Sequence, residues 1–408
     1  MMLGLPPWRI DAATIPAHRL GPVLVLVLVL AAAFSAAAAP LIAPGADSVV
    51  VELLPAITRV RPRPITAASP AGAPATVATR ARQAIALARQ TGDTRYWGRA
   101  QALLAPWWDK PDAPVELAVL QATVQQGLHA FDAARKVLVA ALARDPGHAQ
   151  GWLNLAALER LSARYVDSLQ ACDAVARAQQ PLYARACQLE TRSLQGDTRA
   201  ATQGLRELVV AATQAAQRSW LLSLLAEHLE RSGDDRGAAR AYQDSLQQEA
   251  DLYTAIAYSD LLLRTGQPAL ARQVLAGLRD TDAVLLRRAA AWRRGGDTQW
   301  VATRALLRER VAELTRRGDD TSLHGRELAL AALWLDDDAA GALVLARANL
   351  QLQREPVDWW VAVASARAAN HSEALAQIET AFRAAGLHDV RLARASAAST
   401  APVSRAKP

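Results

Sequence analysis

Two cysteines are all the chain possesses, at positions 172 and 187. A helix break at Gln180-Pro181 falls between them, about equally far from each. In an antiparallel helix pair the two side chains therefore reach the same height. In an oxidising compartment such thiols form a disulfide, and in a reducing one they serve as two small buried apolar residues. Neither has a histidine or a second cysteine at ligand spacing, so no zinc site is drawn. Three acidic residues, Glu190, Glu227 and Asp260, recur at nearly even intervals. Arg231 and Arg264 each follow an acid by four residues, the spacing of an intrahelical ion pair. His324 and Glu327 stand three apart, close enough on a helix to touch one metal ion, with Trp334 further along. One such pair supplies too few ligands, and a structural role serves it equally. There is no phosphate loop, no Ser/His/Asp set in a workable context and no pair of carboxylates on a pocket scaffold. No catalytic residue, metal ligand or cofactor is assigned, and the chain reads as a non-enzyme.

The elements that must hold these residues are helical. Apolar residues make up 51% of the 408 positions and aromatic ones 5%. Much of that apolar content is Ala and Leu, which favour helix, and β-branched residues are sparse beyond residue 80. An all-α fold follows. The net charge of +7 comes almost entirely from arginine. Those arginines are interleaved with Asp and Glu, the pattern of a solvated helix surface rather than of the clustered basic stripe a nucleic-acid binder carries. Nucleic acid is therefore excluded as a partner. The C-terminus (residues 389–408, with Arg391, Arg394, Arg405 and Lys407) is rich in Ala and Ser and reads as a disordered basic tail.

The N-terminus bears on the compartment. Residues 21–39 form a nearly unbroken apolar run, with Arg9 and Arg19 before it and no charge after it until Asp47. That asymmetry keeps the N-terminus on the cytoplasmic side. Ser35 and Ala37 offer small residues for a signal-peptidase site, and the run is also long enough to stay as a single inner-membrane anchor. Both outcomes place the body outside the cytoplasm, as a periplasmic protein. Residues 1–46 are read as the signal or anchor, and residues 47–77 as a short extended segment and a Pro/Ala-rich linker.

From residue 78 to 388 helical periodicity is broken by turns that resemble one another. Gly92-Asp93-Thr94, Gly196-Asp197-Thr198 and Gly296-Asp297-Thr298 are the same tripeptide, and Gly233-Asp234-Asp235 and Gly318-Asp319-Asp320 are close variants. Glycine ends one helix in the left-handed conformation, and Asp or Thr caps the next. Five near-copies indicate a repeating hairpin. Ala134, Leu138 and Pro146, then Trp152, Leu155, Tyr165 and Ser168, stand at the offsets of the tetratricopeptide repeat. Over residues 78–388 the chain resembles that superfamily, with Ala156 and Ala226 at a close-packing position. Residues 285–322 fit poorly and suggest an elongated or irregular unit. The stretches His324-Gly325-Arg326-Glu327, Ala342 to Asn349 and Gln353 to Asp358 are similar to uncharacterised exported proteobacterial proteins of this kind.

The resemblance implies a right-handed superhelical solenoid of antiparallel hairpins, its concave groove lined by the first helix of each unit. It places Glu190, Glu227 and Asp260 in one column in that groove, with Arg231, Arg264 and Trp334 as further groove candidates. The column would suit a basic or polar extended segment, while the same residues also serve as a solvated, internally paired face. Trp107-Trp108 and Trp359-Trp360 near the two ends would be docking patches if exposed and end caps if buried. The implied function is an exported scaffold that binds another protein or peptide through its groove. The alternatives are an accessory part of an envelope secretion or polysaccharide-export machine, and an enzyme or metal protein using the His324 region.

Overall fold

The computed structural model describes residues 73–316 and 318–397, and among these every regular element is helical. The apolar run at 21–39, the extended stretch and most of the linker, and the tail beyond 397 with Arg405 and Lys407 lie outside the described residues. No helix among the described residues is long and apolar enough to cross a membrane.

Eighteen of the helices pair in sequence. They are α1 (Pro74–Thr91) with α2 (Arg95–Leu104), α3 (Val115–Gly127) with α4 (Phe131–Arg144), and α5 (Ala149–Leu161) with α6 (Tyr165–Arg177). Next come α7 (Pro181–Leu194) with α8 (Thr198–Ala211), α9 (Ala215–Ser232) with α10 (Asp235–Gln248), and α11 (Leu252–Arg264) with α12 (Pro268–Val274). The last are α13 (Asp282–Arg294) with α14 (Gln299–Arg316), α15 (Gly325–Trp334) with α16 (Ala339–Leu352), and α17 (Pro356–Ala368) with α18 (Ser372–Ala384). A final helix, α19 (Val390–Ala397), follows alone.

The two helices of a hairpin differ in what they bury. In α10 the buried residues Gly237, Ala238, Ala241, Tyr242 and Ser245 trace one stripe at the helical period, as expected of an outer helix packed on one side. In α9 nearly every residue from Ser219 to Arg231 is buried, charged ones included. First helices are sandwiched between neighbours and an interior. Second helices form the outer layer, and α14 buries only Leu307. Ala156 and Ala226 are fully buried, as are Ala134 and Leu138. Small side chains at these points let the helices approach closely.

All five glycines of the repeated turn have positive φ. The acids that follow them do less uniform work. Asp234 caps α10 by accepting from the Gly237 amide at 2.8 Å. Asp93 and Asp297 instead accept from the amide two residues on, and Asp197 makes no capping bond.

Residues 285–322, expected to be elongated or irregular, are the elongated case: a hairpin of α13 with a long α14, followed by a 3-10 turn at Thr321–His324. The repeat pattern was hidden there by the length of α14 and its exposed, Arg-rich surface. One expectation needs correction. Residues 390–397 are a helix packed on α9 and α17, with Leu392 fully buried, rather than the start of a disordered tail. Their Ala/Arg composition looks like tail until Leu387 and Leu392 find an apolar seat.

The solenoid coils until one turn rests on the previous one. The Arg354 amide, just before α17, donates to the Leu161 carbonyl at the end of α5 at 2.7 Å. The His388 amide donates to the Leu194 carbonyl at the end of α7 at 2.8 Å. These carbonyls are among those a helix C-terminus leaves unpaired, so the later turn caps the earlier one. Two turn glycines permit the approach. A Cβ on Gly92 would stand 2.6 Å from Thr281 Cγ2, and one on Gly196 would stand 2.9 Å from the His388 ring.

Candidate functional site

Coiling turns the expected open groove into an interior. It holds a cavity of about 120 Å³, walled by first helices from α5 to α17 and by α19. The last hairpin and α19 lie across part of the concave groove read from the repeat pattern.

Five arginines and five carboxylates line the cavity, and each arginine meets one carboxylate. Arg160 stands 2.8 Å from Glu190, and Arg391 stands 2.7 Å from Glu230. Arg287 grips Asp260 with two bonds, at 2.8 and 2.9 Å. Arg326 reaches Glu355 at 2.5 Å and also grips Asp358 at 2.7 and 2.8 Å. The loosest pair is Arg231 with Glu227, at 3.6 Å. Tyr253 steadies Glu227 by donating its hydroxyl at 2.7 Å. Leu161, Leu194, Ile256 and Val357 supply the apolar part of the wall.

Burial and pairing compete at these acids. Burial lifts the Glu190 carboxyl despite Arg160 and Arg231. It lifts Glu227 to about 7, because Arg231 is distant and Glu190 and Glu355 add repulsion. Burial also raises Asp260 and Asp358 against their arginines. At Glu327 burial is outweighed by Arg287 and Arg326, which hold its carboxyl below the usual value. A buried carboxylate without a close cation prefers its proton, and Glu227 comes nearest to that state.

The structure brings together some of the residues singled out by sequence and separates others. Glu190, Glu227, Asp260 and Arg231 all line the cavity. They do not form a free acidic column: Arg160 and Arg287 from neighbouring helices pair with Glu190 and Asp260, and Arg231, four residues on in the same helix, stands by Glu227 as its i, i+4 spacing suggested. Arg264 does not line the cavity and does not pair with Asp260 four residues before it. It bonds Asp235 at 2.6 Å and Glu230 at 3.2 Å. Asp260 turns instead to Arg287 of the next hairpin. Trp334 lies outside the cavity wall, edge-on to Trp360 at 6.5 Å, with the Arg294 guanidinium 5.2 Å from its ring centre. Glu327 faces Arg287 at 3.7 Å, while His324 is exposed on its 3-10 turn. Among the described residues no group of three or more His, Cys, Asp or Glu is placed to hold a metal. Neither tryptophan doublet is exposed: Trp359 is buried, and Trp107, Trp108 and Trp360 are half-buried against the core. Cys172 on α6 and Cys187 on α7 are joined by a disulfide, with Cα atoms 5.6 Å apart and both side chains buried.

Arg160, Arg287, Arg326 and Arg391 were missed by sequence reasoning. Three of them had a signal, an arginine at an otherwise apolar position of a first helix. Arg287 follows Val284-Leu285-Leu286 and precedes three alanines through Arg288. Periodicity puts such a side chain inside, where it needs a carboxylate.

Stacked antiparallel hairpins whose first helices line an interior define a solenoid of the tetratricopeptide type. No family model matches the chain, and no curated protein matches it. Among solved structures, a Rap protein complexed with Competence and Sporulation Factor is similar with a TM-score of 0.50 at 10% identity, over 78% of this chain and 86% of that one. A tetratricopeptide repeat protein from Parabacteroides merdae gives 0.36 at 12% identity, over 62% and 98%. The tetratricopeptide domain of P58(IPK) gives 0.24 at 14%, over 80% and 97%. At these identities the likeness concerns the fold alone.

Proposed function

We propose that this protein is a non-catalytic binding scaffold of the cell envelope, whose superhelical interior receives a segment of another protein. The observation that carries this reading is the cavity wall. Five arginines and five carboxylates, with tyrosine and aliphatic side chains between them, converge from seven first helices, α10 and α19 onto one small interior, the place where a solenoid concentrates its recognition surface. The Rap protein similar to this chain was crystallised with Competence and Sporulation Factor, which supports reading the fold as one that bears a ligand. The apolar run at 21–39 and the Cys172–Cys187 disulfide support a periplasmic location, with residues 21–39 removed or kept as an inner-membrane anchor. Components of a secretion or polysaccharide-export machine are one class of partner within that compartment.

A photoreactive amino acid placed at Ala257, on the cavity wall, tests the site. The control position is Val210, 83% exposed on the outer layer. Full-length protein is irradiated in envelope extract and adducts are identified by mass spectrometry. Adducts from Ala257 and none from Val210 support interior binding. The reverse pattern sinks it. An alkaline-phosphatase fusion after the last described residue tests location, and an inactive fusion would refute export.

A further inference from the structure

The interior already accommodates one basic segment, and it belongs to the chain itself. Residues 387–394 approach the ends of α7 and α9. Leu387 and Leu392 are buried, and the His388 amide bonds the Leu194 carbonyl at 2.8 Å. Between the leucines, Arg391 enters the cavity wall and meets Glu230 at 2.7 Å. Asp389, buried beside it, holds the same guanidinium at 2.5 Å and so fixes its direction. Val390 and Arg394 lie over Gly233. The contact is compact: α19 touches only α9 and α17 appreciably.

Withdrawing Arg391 changes the charge of the wall. Four arginines (160, 231, 287, 326) would then face five carboxylates (190, 227, 230, 260, 355). Glu230 would keep only Arg264 and the Tyr242 hydroxyl, each at 3.2 Å. The vacated place is acidic and has a carbonyl acceptor at Leu194 and an apolar seat. Because Arg391 and the His388 amide occupy Glu230 and the Leu194 carbonyl, a partner entering on this side must first move this segment.

We propose that the place formed by Leu194, Glu230 and Gly233 is a docking site for a short segment of a partner protein in which one arginine precedes a leucine. Residues 387–394 occupy it in cis and are displaced when that segment binds. The proposal rests on the scaffold reading and names both the side of the interior used and the chemistry recognised.

The test uses the full chain with Leu392→Asp, which removes the buried leucine, and a fluorescein-labelled peptide of residues 386–397. A second peptide carries Arg391→Ala. The Leu392→Asp chain is expected to bind the first peptide at least tenfold tighter than the unaltered chain does, and the second at least tenfold more weakly than the first. Adding Glu230→Gln to the chain should erase the difference between the peptides. Equal affinity for the two peptides overturns the proposal. So does absence of binding when hydrogen exchange shows the Leu194 and Gly233 region opened. Should Leu392→Asp fail to fold, Arg391→Ala in the full chain should speed amide exchange at residues 387–397 at least tenfold and leave α11 to α16 unchanged, and unchanged exchange at 387–397 overturns the proposal. Interior cross-links to a partner without any such arginine-bearing segment would sink this proposal and leave the scaffold reading intact. Peptide binding without any interior cross-link in extract would do the reverse.

Discussion

Glu227→Gln changes one atom type at the loosest ion pair of the interior and should alter how stability depends on pH. Burial, with repulsion from Glu190 and Glu355, holds the Glu227 carboxyl at about 7 against an ordinary value of 4.5. At about 1.4 kcal/mol per pH unit, that gap corresponds to roughly 3 kcal/mol of disfavour for the ionised form. The side chain is 17% exposed, and water reaching it reduces the effective cost to about 1–2 kcal/mol. Between pH 4.5 and about 7 the folded chain keeps a proton that the unfolded chain has lost, so this group's contribution falls as pH rises through that window. Glutamine retains an oxygen to accept from Tyr253, and Arg231 retains the Ser193 hydroxyl at 2.8 Å. Urea unfolding followed by tryptophan fluorescence at pH 5, 6, 7 and 8 should show the unaltered protein losing about 1–2 kcal/mol more than the variant as pH rises. The variant should also be the more stable of the two at pH 8. Asp260 and Asp358, raised in the same direction, titrate in both proteins and cancel in the comparison, while relief of the Glu190–Glu227 repulsion adds to the difference. Identical pH slopes would refute the claim that Glu227 is the poorly paired acid.

Three further outcomes follow from named contacts. Arg326→Met leaves Asp358, whose side chain is fully buried, without its cation and should cost about 3–5 kcal/mol in thermal unfolding; adding Asp358→Leu should recover most of that loss, and no recovery would show that the loss does not come from the orphaned charge. Ala163 ends α5 in the left-handed conformation at φ 58°, where the Arg164 amide closes back on the Glu159 carbonyl; Ala163→Gly should gain about 0.5–1 kcal/mol in urea unfolding, since relief of strain exceeds the added freedom of the unfolded chain, and a loss would contradict it. Removing the Cys172–Cys187 bond, which closes a loop of sequence separation 15, should cost about 3 kcal/mol; because both sulfurs are buried, native protein should resist dithiothreitol that reduces it readily in urea, and equal rates would contradict that burial.

How much of this was legible in the sequence depended on how local each feature is. Helix ends were readable because Gly92, Gly196, Gly233, Gly296 and Gly318 act on the turn they stand in. The motif residues Ala134, Leu138, Tyr165 and Ser168 were readable because hairpin packing repeats at fixed spacing. Glu190, Glu227 and Asp260 stand on one cavity wall because the first helices that carry them repeat at nearly fixed spacing. Arg231 beside Glu227 was legible as an i, i+4 pair, but Arg160 and Arg287 were not, because they meet Glu190 and Asp260 from adjacent hairpins, and Arg391 meets Glu230 across the coil. No spacing rule along one helix encodes such contacts, and the i, i+4 rule misassigned Arg264 to Asp260. The closure of the interior was invisible for a stronger reason. It depends on the pitch of the solenoid, which sums small rotations from every hairpin.

That sum explains what the ion pairs contribute. Buried ion pairs are seldom the most stabilising way to fill a core, since desolvation offsets much of their attraction. Their geometry, however, is demanding. Arg160–Glu190, Arg287–Asp260 and Arg326–Asp358 each join the first helices of adjacent hairpins at 2.7–2.9 Å. An apolar seam could slide there, whereas a bidentate guanidinium fixes the rotation between neighbours. Once each step is fixed, the coil returns to the same place, and the Leu161 and Leu194 carbonyls meet the Arg354 and His388 amides. Arg231 pairs within its own helix, and Arg391 alone among the lining arginines has a pair that spans the coil. Breaking it leaves every neighbour pair in place. The interior can therefore open at α19 while the solenoid keeps its pitch, which a site that must first be vacated requires.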